Sequence, residues 1–224
     1  MQVIDVVFKW ICLKLDENEK DGAFSMKIYD FLAVLFDFLE SHDYVLQDNE
    51  AYVIVPMLCA RSGHNNTIVK NKIKNLIKQT FVLYDRQKCL ALLIDIGCAS
   101  RSLKAVAETL DEIAITVTRD GMSCISDKQV RQIAKLVEHS DQGVKKGALQ
   151  VLGQLYLSVE EEIWSSLGKP NAKVTEMLTK RFKEVKLWKE KQQAQQSNSA
   201  SKKVEQSSPP RTKVAQLSPR NSPS

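Results

Sequence analysis

Apolar residues in this chain recur every three or four positions rather than every two, a period that buries one face of an α-helix and not one face of a strand. Ile4, Phe8, Ile11 and Leu15 share one such face, and Ile28, Leu32, Leu35 and Leu39 share the next. The polar, glycine-containing run 16–22 between them predicts a connecting loop. A break at 44–49 precedes a shorter helix over 51–60, which Pro56 should bend. Gly63 suits the end of that helix, and Asn66 or Thr67 suits the start of the next. In the helix that follows, Val69, Ile73, Leu76, Thr80 and Tyr84 face inward, while Lys70, Lys72, Lys74 and Lys78 lie off that face.

Three further pairs continue the pattern. They cover 88–98 with a helix from Leu103, 127–138 with 143–157, and 160–167 with 172–188. Second helices thus begin near Met26, Thr67, Leu103, Gly143 and Ala172, roughly the 40-residue period of HEAT-like repeats. The expected fold is all-α: a solenoid of about five helical hairpins, each hiding its apolar face by stacking on its neighbours around one continuous core. The spacing of the loops favours this over an irregular helical bundle. Folded structure is expected over 1–188. In 189–224 the polar stretch to Gln196 is able to prolong the last helix, and the Ser, Pro and Lys-rich remainder lacks the apolar residues needed to offset ordering entropy, so a disordered tail is expected.

The net charge of +5 sits in that tail, which holds seven basic groups against Glu190 and Glu205 and leaves the preceding body neutral. A neutral body argues against specific nucleic-acid binding, for which a basic stripe on the domain is the usual footprint. Ser208, Ser218 and Ser222 each precede proline and are candidate phosphorylation sites, Ser208-Pro209-Pro210-Arg211 most of all. Each phosphate would add about −1.5 to −2 charges. No apolar run reaches the length of a membrane span, Asp5 and Lys9 interrupt the start, and the five cysteines form no C-x-x-C pair. These features predict a soluble intracellular protein with reduced thiols and no membrane partner.

No catalytic or metal-binding constellation emerges. His42, His64 and His139 stand apart in loops, Gly-rich phosphate loops are missing, and the run Glu160-Glu161-Glu162 opens a helix where its charge suits the dipole. The chain reads as a non-enzyme with no cofactor and no metal. What recurs is a basic group soon after each loop inside a hairpin: Lys27, Lys70 with Lys74, Arg101 with Lys104, Lys145 with Lys146, and Lys173. Cations near a helix N-terminus oppose its dipole. Their repetition along one edge predicts an acidic protein partner there.

The segment 141–149 follows the D-x-x-V-[RK]-x-x-A-L pattern that opens second helices of HEAT repeats. Phe8-Lys9-Trp10, Met26-Lys27, Asn49-Glu50-Ala51, Gly63-His64-Asn65 and Ile163-Trp164 with Leu167-Gly168-Lys169 keep one register with it. Together they resemble a TOG domain, most closely the fourth of the ch-TOG, Minispindles and plant MOR family of microtubule polymerases, over residues 1 to about 185. The resemblance implies a paddle of HEAT repeats that binds αβ-tubulin through its intra-repeat loops to promote microtubule growth or organisation. It implies a cytoplasmic place on microtubules and the spindle, with other TOG domains of a longer array as further partners. It assigns tubulin contact to Lys27, Asn65, Asn66, Lys70, Lys74, Ser100, Arg101, Lys104, Lys145 and Lys146. Against the family pattern the first repeat is missing, which predicts an uncapped apolar end at Val3, Val7 and Trp10. Trp10 itself, spaced helically with Val3 and Val7, reads as a packing residue.

Overall fold

The computed structural model describes residues 3–19 and 21–205, with side chains described through Gln193. Its ten α-helices form five consecutive hairpins: α1 (Ile4–Glu17) with α2 (Gly22–Ser41), α3 (Asp48–Arg61) with α4 (Thr67–Leu83), α5 (Arg86–Asp95) with α6 (Leu103–Asp120), α7 (Asp127–Leu136) with α8 (Gln142–Val159), and α9 (Ile163–Leu167) with α10 (Ala172–Glu205). Short 3-10 turns lead out of α5, α6 and α8. No strand occurs among the described residues. The first helices stack on one another in the order α1, α3, α5, α7, α9, while α2 packs on α4 and α6 on α8. This is the all-α HEAT-repeat solenoid that the periodicity predicts.

One apolar core runs through all five hairpins, from Phe8 on α1 to Val185 on α10. Ile73, Leu110 and Leu152 are fully buried in it. Leu35 is only half-buried; Phe36, one residue on, is the buried member of that turn. The correct stripe on α2 is therefore Ile28, Leu32, Phe36 and Leu39, all buried. Helix α2 also starts at Gly22, earlier than Met26, because the Asp21 carboxylate accepts a hydrogen bond from the Phe24 amide and caps it. Lys27 consequently lies in the second turn.

The compact body ends at Val185, and Lys186 onward forms a separate unit. Helix α10 continues to Glu205, past Ser197, where the composition predicts the end of regular structure. Its Lys, Glu, Gln and Ala residues are good helix formers without needing an apolar partner. The tail beyond 205, including Ser208, Ser218 and Ser222, lies outside the described residues. No helix among the described residues is long and apolar enough to cross a membrane.

At the other end, Val3 and Trp10 on α1 are exposed and Val7 is half-buried. Trp10 thus packs against nothing in the core, in contrast to its expected packing role. Its helical spacing reflects a second apolar stripe on the outer side of α1, opposite Phe8, Ile11 and Leu15.

Candidate protein-binding edge

Each second helix is opened by a side-chain cap at the end of its loop. Asp21, Asn66, Ser102, Asp141 and Asn171 accept hydrogen bonds from the amides of Phe24, Ile68, Ala105, Val144 and Val174 at 2.8–3.3 Å. Such caps satisfy donors that the first turn leaves unpaired. In three loops a second clamp precedes the cap. His64 Nδ1 accepts from the Asn66 amide, His139 Nδ1 from the Asp141 amide and Ser100 Oγ from the Ser102 amide, at 3.0, 3.0 and 3.3 Å. The motif is a polar acceptor two residues before the cap, and it holds the loop in a fixed turn. The apolar period does not reveal it, although His-x-Asn at 64–66 and His-x-Asp at 139–141 share one register and mark it in the sequence.

Neighbouring loops are also tied to one another. Arg61 at the end of α3 reaches Asp16 at the end of α1 (2.5 Å). Lys104 Nζ donates to Asn65 Oδ1 (2.8 Å), and Asn171 Nδ2 donates to Glu138 (2.8 Å). Gly63 sits so close to the start of α6 that a Cβ there would lie 2.5 Å from the Ala105 amide nitrogen. Its φ is not in the left-handed region, and the C-cap of α3 is Ser62. Gly63 therefore serves close approach between loops rather than termination of a helix. The first three intra-hairpin loops are thus tied in series, and the last two to each other.

The ten residues assigned to partner contact divide into two groups. Lys27, Arg101, Lys145 and Lys146 make no ion pair or hydrogen bond among the described residues; Lys27, Arg101 and Lys146 are exposed and Lys145 half-buried. The other six already have internal partners. Asn66 and Ser100 hold the turns, and Asn65 holds Lys104. Lys70 and Lys74 both bind the Glu108 carboxylate on α6, at 2.8 and 2.5 Å, with Glu112 3.8 Å from Lys74. Burial opposes the charge on Glu108, but the two ammonium groups override it and hold its carboxyl below the usual range. Burial disfavours the Lys74 charge as well, and Glu108 reverses that and raises it. These two lysines join α4 to α6, a pairing across 38 residues that sequence spacing does not show.

Lys145 and Lys146 flank a shallow groove between α8 and α10, together with Gln142, Leu149, Arg181 and Glu184. Glu50, buried, accepts from Tyr44 and from the Gln47 amide, both at 2.7 Å. Burial pushes the thiols of Cys59, Cys89 and Cys98 up to about 12, which leaves them protonated and poor nucleophiles. No group of three His, Cys, Asp or Glu side chains among the described residues is placed to hold a metal ion.

No family model matches the chain. It is 29% identical over 184 residues to Protein MOR1 of Oryza sativa subsp. japonica and 25% identical over 183 residues to Protein mini spindles of Drosophila melanogaster, in each case over 82% of this chain and 9% of the relative. The chain therefore spans about a tenth of the length of these curated relatives. A solved structure described as "TOG-tubulin binding specificity promotes microtubule dynamics and mitotic spindle formation" superposes with a TM-score of 0.73 and 25% identity, over 80% of this chain and 67% of that one. The TOG domain structure from C. elegans Zyg9 superposes at 0.74 with 20% identity and the same coverage, a likeness of fold. Five capped hairpins, a loop edge held by hydrogen bonds and these similarities agree: the chain has the fold of a TOG domain and is similar in sequence to the MOR1 and mini spindles proteins.

Proposed function

We propose that the domain binds αβ-tubulin along the intra-hairpin loop edge and thereby acts in microtubule growth or organisation, as a binding module and not as an enzyme. The observation that supports this most is the combination of loops fixed by internal hydrogen bonds with cations that make no internal salt bridge: Lys27, Arg101, Lys145 and Lys146. A preformed edge loses little entropy on binding. Unpaired cations on it favour an acidic protein surface and steer its approach. Lys70, Lys74, Lys104 and the loop residues Asn65, Asn66 and Ser100 act chiefly by holding that edge in shape. The place of action is the cytoplasmic microtubule array, with other TOG domains as neighbours in a longer chain.

The test is a titration of tubulin dimers with the K27E/R101E/K145E/K146E chain at two salt concentrations. Four surface charges reversed together should weaken binding roughly tenfold or more, with the difference shrinking at high salt. Unchanged dimer binding would leave a general HEAT-repeat scaffold for a different protein as the better reading.

A further inference from the structure

The groove between α8 and α10 holds three cations, Lys145, Lys146 and Arg181, against one carboxylate, Glu184. Lys145 and Lys146 make no salt bridge, although the charge of Lys146 acts on Asp111 of α6. Glu184 stands 3.5 Å from Arg181 Nη1, longer than a good charge-assisted bond, and its side chain is 52% exposed. Arg181 itself is set into the fold. A Cβ at Gly153 would lie 3.2 Å from Arg181 Nε and 3.6 Å from its Cγ, so the bare backbone of α8 at that position gives the side chain room to lie along it. Arg181 Nε is buried without a hydrogen-bond partner. An unmet buried donor opposes folding, so packing alone gives no reason for a guanidinium where an aliphatic chain would serve. The groove starts at the loop edge, with Gln142 and Lys145 in the first turn of α8, and reaches Arg181, about 14 Å beyond the start of α10.

We infer that this groove takes an extended acidic segment of the protein partner bound at the loop edge, with Arg181 holding one of its carboxylates. The inference rests on the binding reading above and carries it from the loops onto the helices behind them. Charge complementarity selects the occupant: three cations against one half-exposed carboxylate favour a negatively charged chain. A guanidinium offers a carboxylate paired donors in a fixed plane. Its stem is already settled against Gly153, so little rotamer entropy is lost on binding. Leu149, partly buried on α8, adds apolar surface for the segment's own side chains. At about 220 Å³ the groove is smaller than small-molecule sites of about 300–1,000 Å³, and it runs open between two helices, which suits a strand of chain and not an enclosed ligand.

Two measurements on the full chain test this. In titrations of tubulin dimers, Arg181→Met, which keeps an aliphatic stem beside Gly153 and removes the charge, should weaken binding about fivefold, while the helical circular dichroism signal is retained and Tm stays at or above that of the wild type. Gly153→Ala, which crowds Arg181 Nε, should weaken binding too and add nothing in the Arg181→Met background. Lys27→Glu with Arg101→Glu, outside the groove, separates the two readings. If this pair weakens binding and Arg181→Met does not, the groove inference falls and the loop edge stands. If only Arg181→Met weakens it, the loop-edge reading falls and the groove stands; if neither does, both fall. In the second measurement, octaglutamate is added to the isotope-labelled chain. Saturable NMR shifts are expected at the Leu149 and Gly153 amides and at Arg181 Nε–Hε, absent with octaserine and, at the two amides, lost in Arg181→Met. Shifts confined to 189–224 place the peptide elsewhere, and equal shifts with inorganic phosphate mark a site for any small anion; either result overturns the inference.

Discussion

Gly63→Ala probes the connection between loops most directly. A Cβ at this position would lie 2.5 Å from the Ala105 amide nitrogen and 2.9 Å from both the carbonyl carbon and the Cβ of Lys104. Two of these three atoms are backbone, so no side-chain rotation relieves the overlap, and restoring ordinary contact requires a retreat of about 1 Å. Forcing an extra methyl into a packed contact costs about 1–3 kcal/mol. Replacing Gly by Ala recovers about 0.4–1 kcal/mol by restricting the unfolded chain. The retreat also strains the Lys104–Asn65 bond (2.8 Å) and the bond from Ser62 Oγ to the Ala105 carbonyl (3.3 Å). The balance is a loss of about 1–2 kcal/mol, which for a domain of this size lowers Tm by roughly 2–8 °C. Thermal and urea unfolding measure it, with Gly22→Ala as the control, since a Cβ there meets nothing within 4 Å. A Gly63→Ala chain as stable as the wild type would refute the close approach and, with it, the idea that adjacent loops constrain each other.

Other expectations follow from the same geometry. Truncating Ile73 or Leu152 to Ala, both fully buried, should cost about 2–5 kcal/mol in urea unfolding, whereas Leu35→Ala, only half-buried, should cost distinctly less. His139→Ala removes the acceptor of the Asp141 amide and should lower stability by about 1 kcal/mol, with faster amide exchange localised to the loop. Glu108 has its folded pKa depressed by Lys70 and Lys74, so its contribution is complete above the ordinary carboxylate pKa of 4.5 and is lost as pH falls through the folded value. Glu108→Gln should therefore remove part of the acid-induced loss of stability, read from melts across pH 2–6, a window set around that pKa. Burial raises the pKa of Glu112 instead, so Glu112→Gln should leave stability at neutral pH unchanged or higher.

The hairpin order was legible in the sequence because each second helix announces its start with a local signal. Thr67, Leu103 and Ala172 follow Asn66, Ser102 and Asn171, whose caps depend only on residues two or three positions away. The start of α2 was obscured since its cap, Asp21, sits at the end of a polar run and no large apolar residue lies between it and Phe24 to mark the turn. Adjacent bulky residues hid the choice between Leu35 and Phe36, which only the angle of α2 against its neighbours decides. The candidate edge was legible as a set of loops and cations. What the sequence could not separate were cations with an internal carboxylate from those without one. Lys70 and Lys74 find Glu108 on the next hairpin, while Arg101 finds none and Lys146 only feels the charge of Asp111 without a salt bridge.

The caps that open the second helices divide labour within each loop. Asp21, Asn66, Ser102, Asp141 and Asn171 spend their acceptor oxygens on the backbone, and what they stabilise is the same in every hairpin. Positions beside them, such as Arg101 and Ser140, carry no such duty in this structure. Mutation is therefore free to rewrite the neighbours of a cap without unsettling the helix behind it. Such positions can change without cost to folding, whereas Gly63, His64, Asn65, Ser100 and His139 cannot. The scaffold can accordingly stay constant while the chemistry that the loop edge presents to solvent changes.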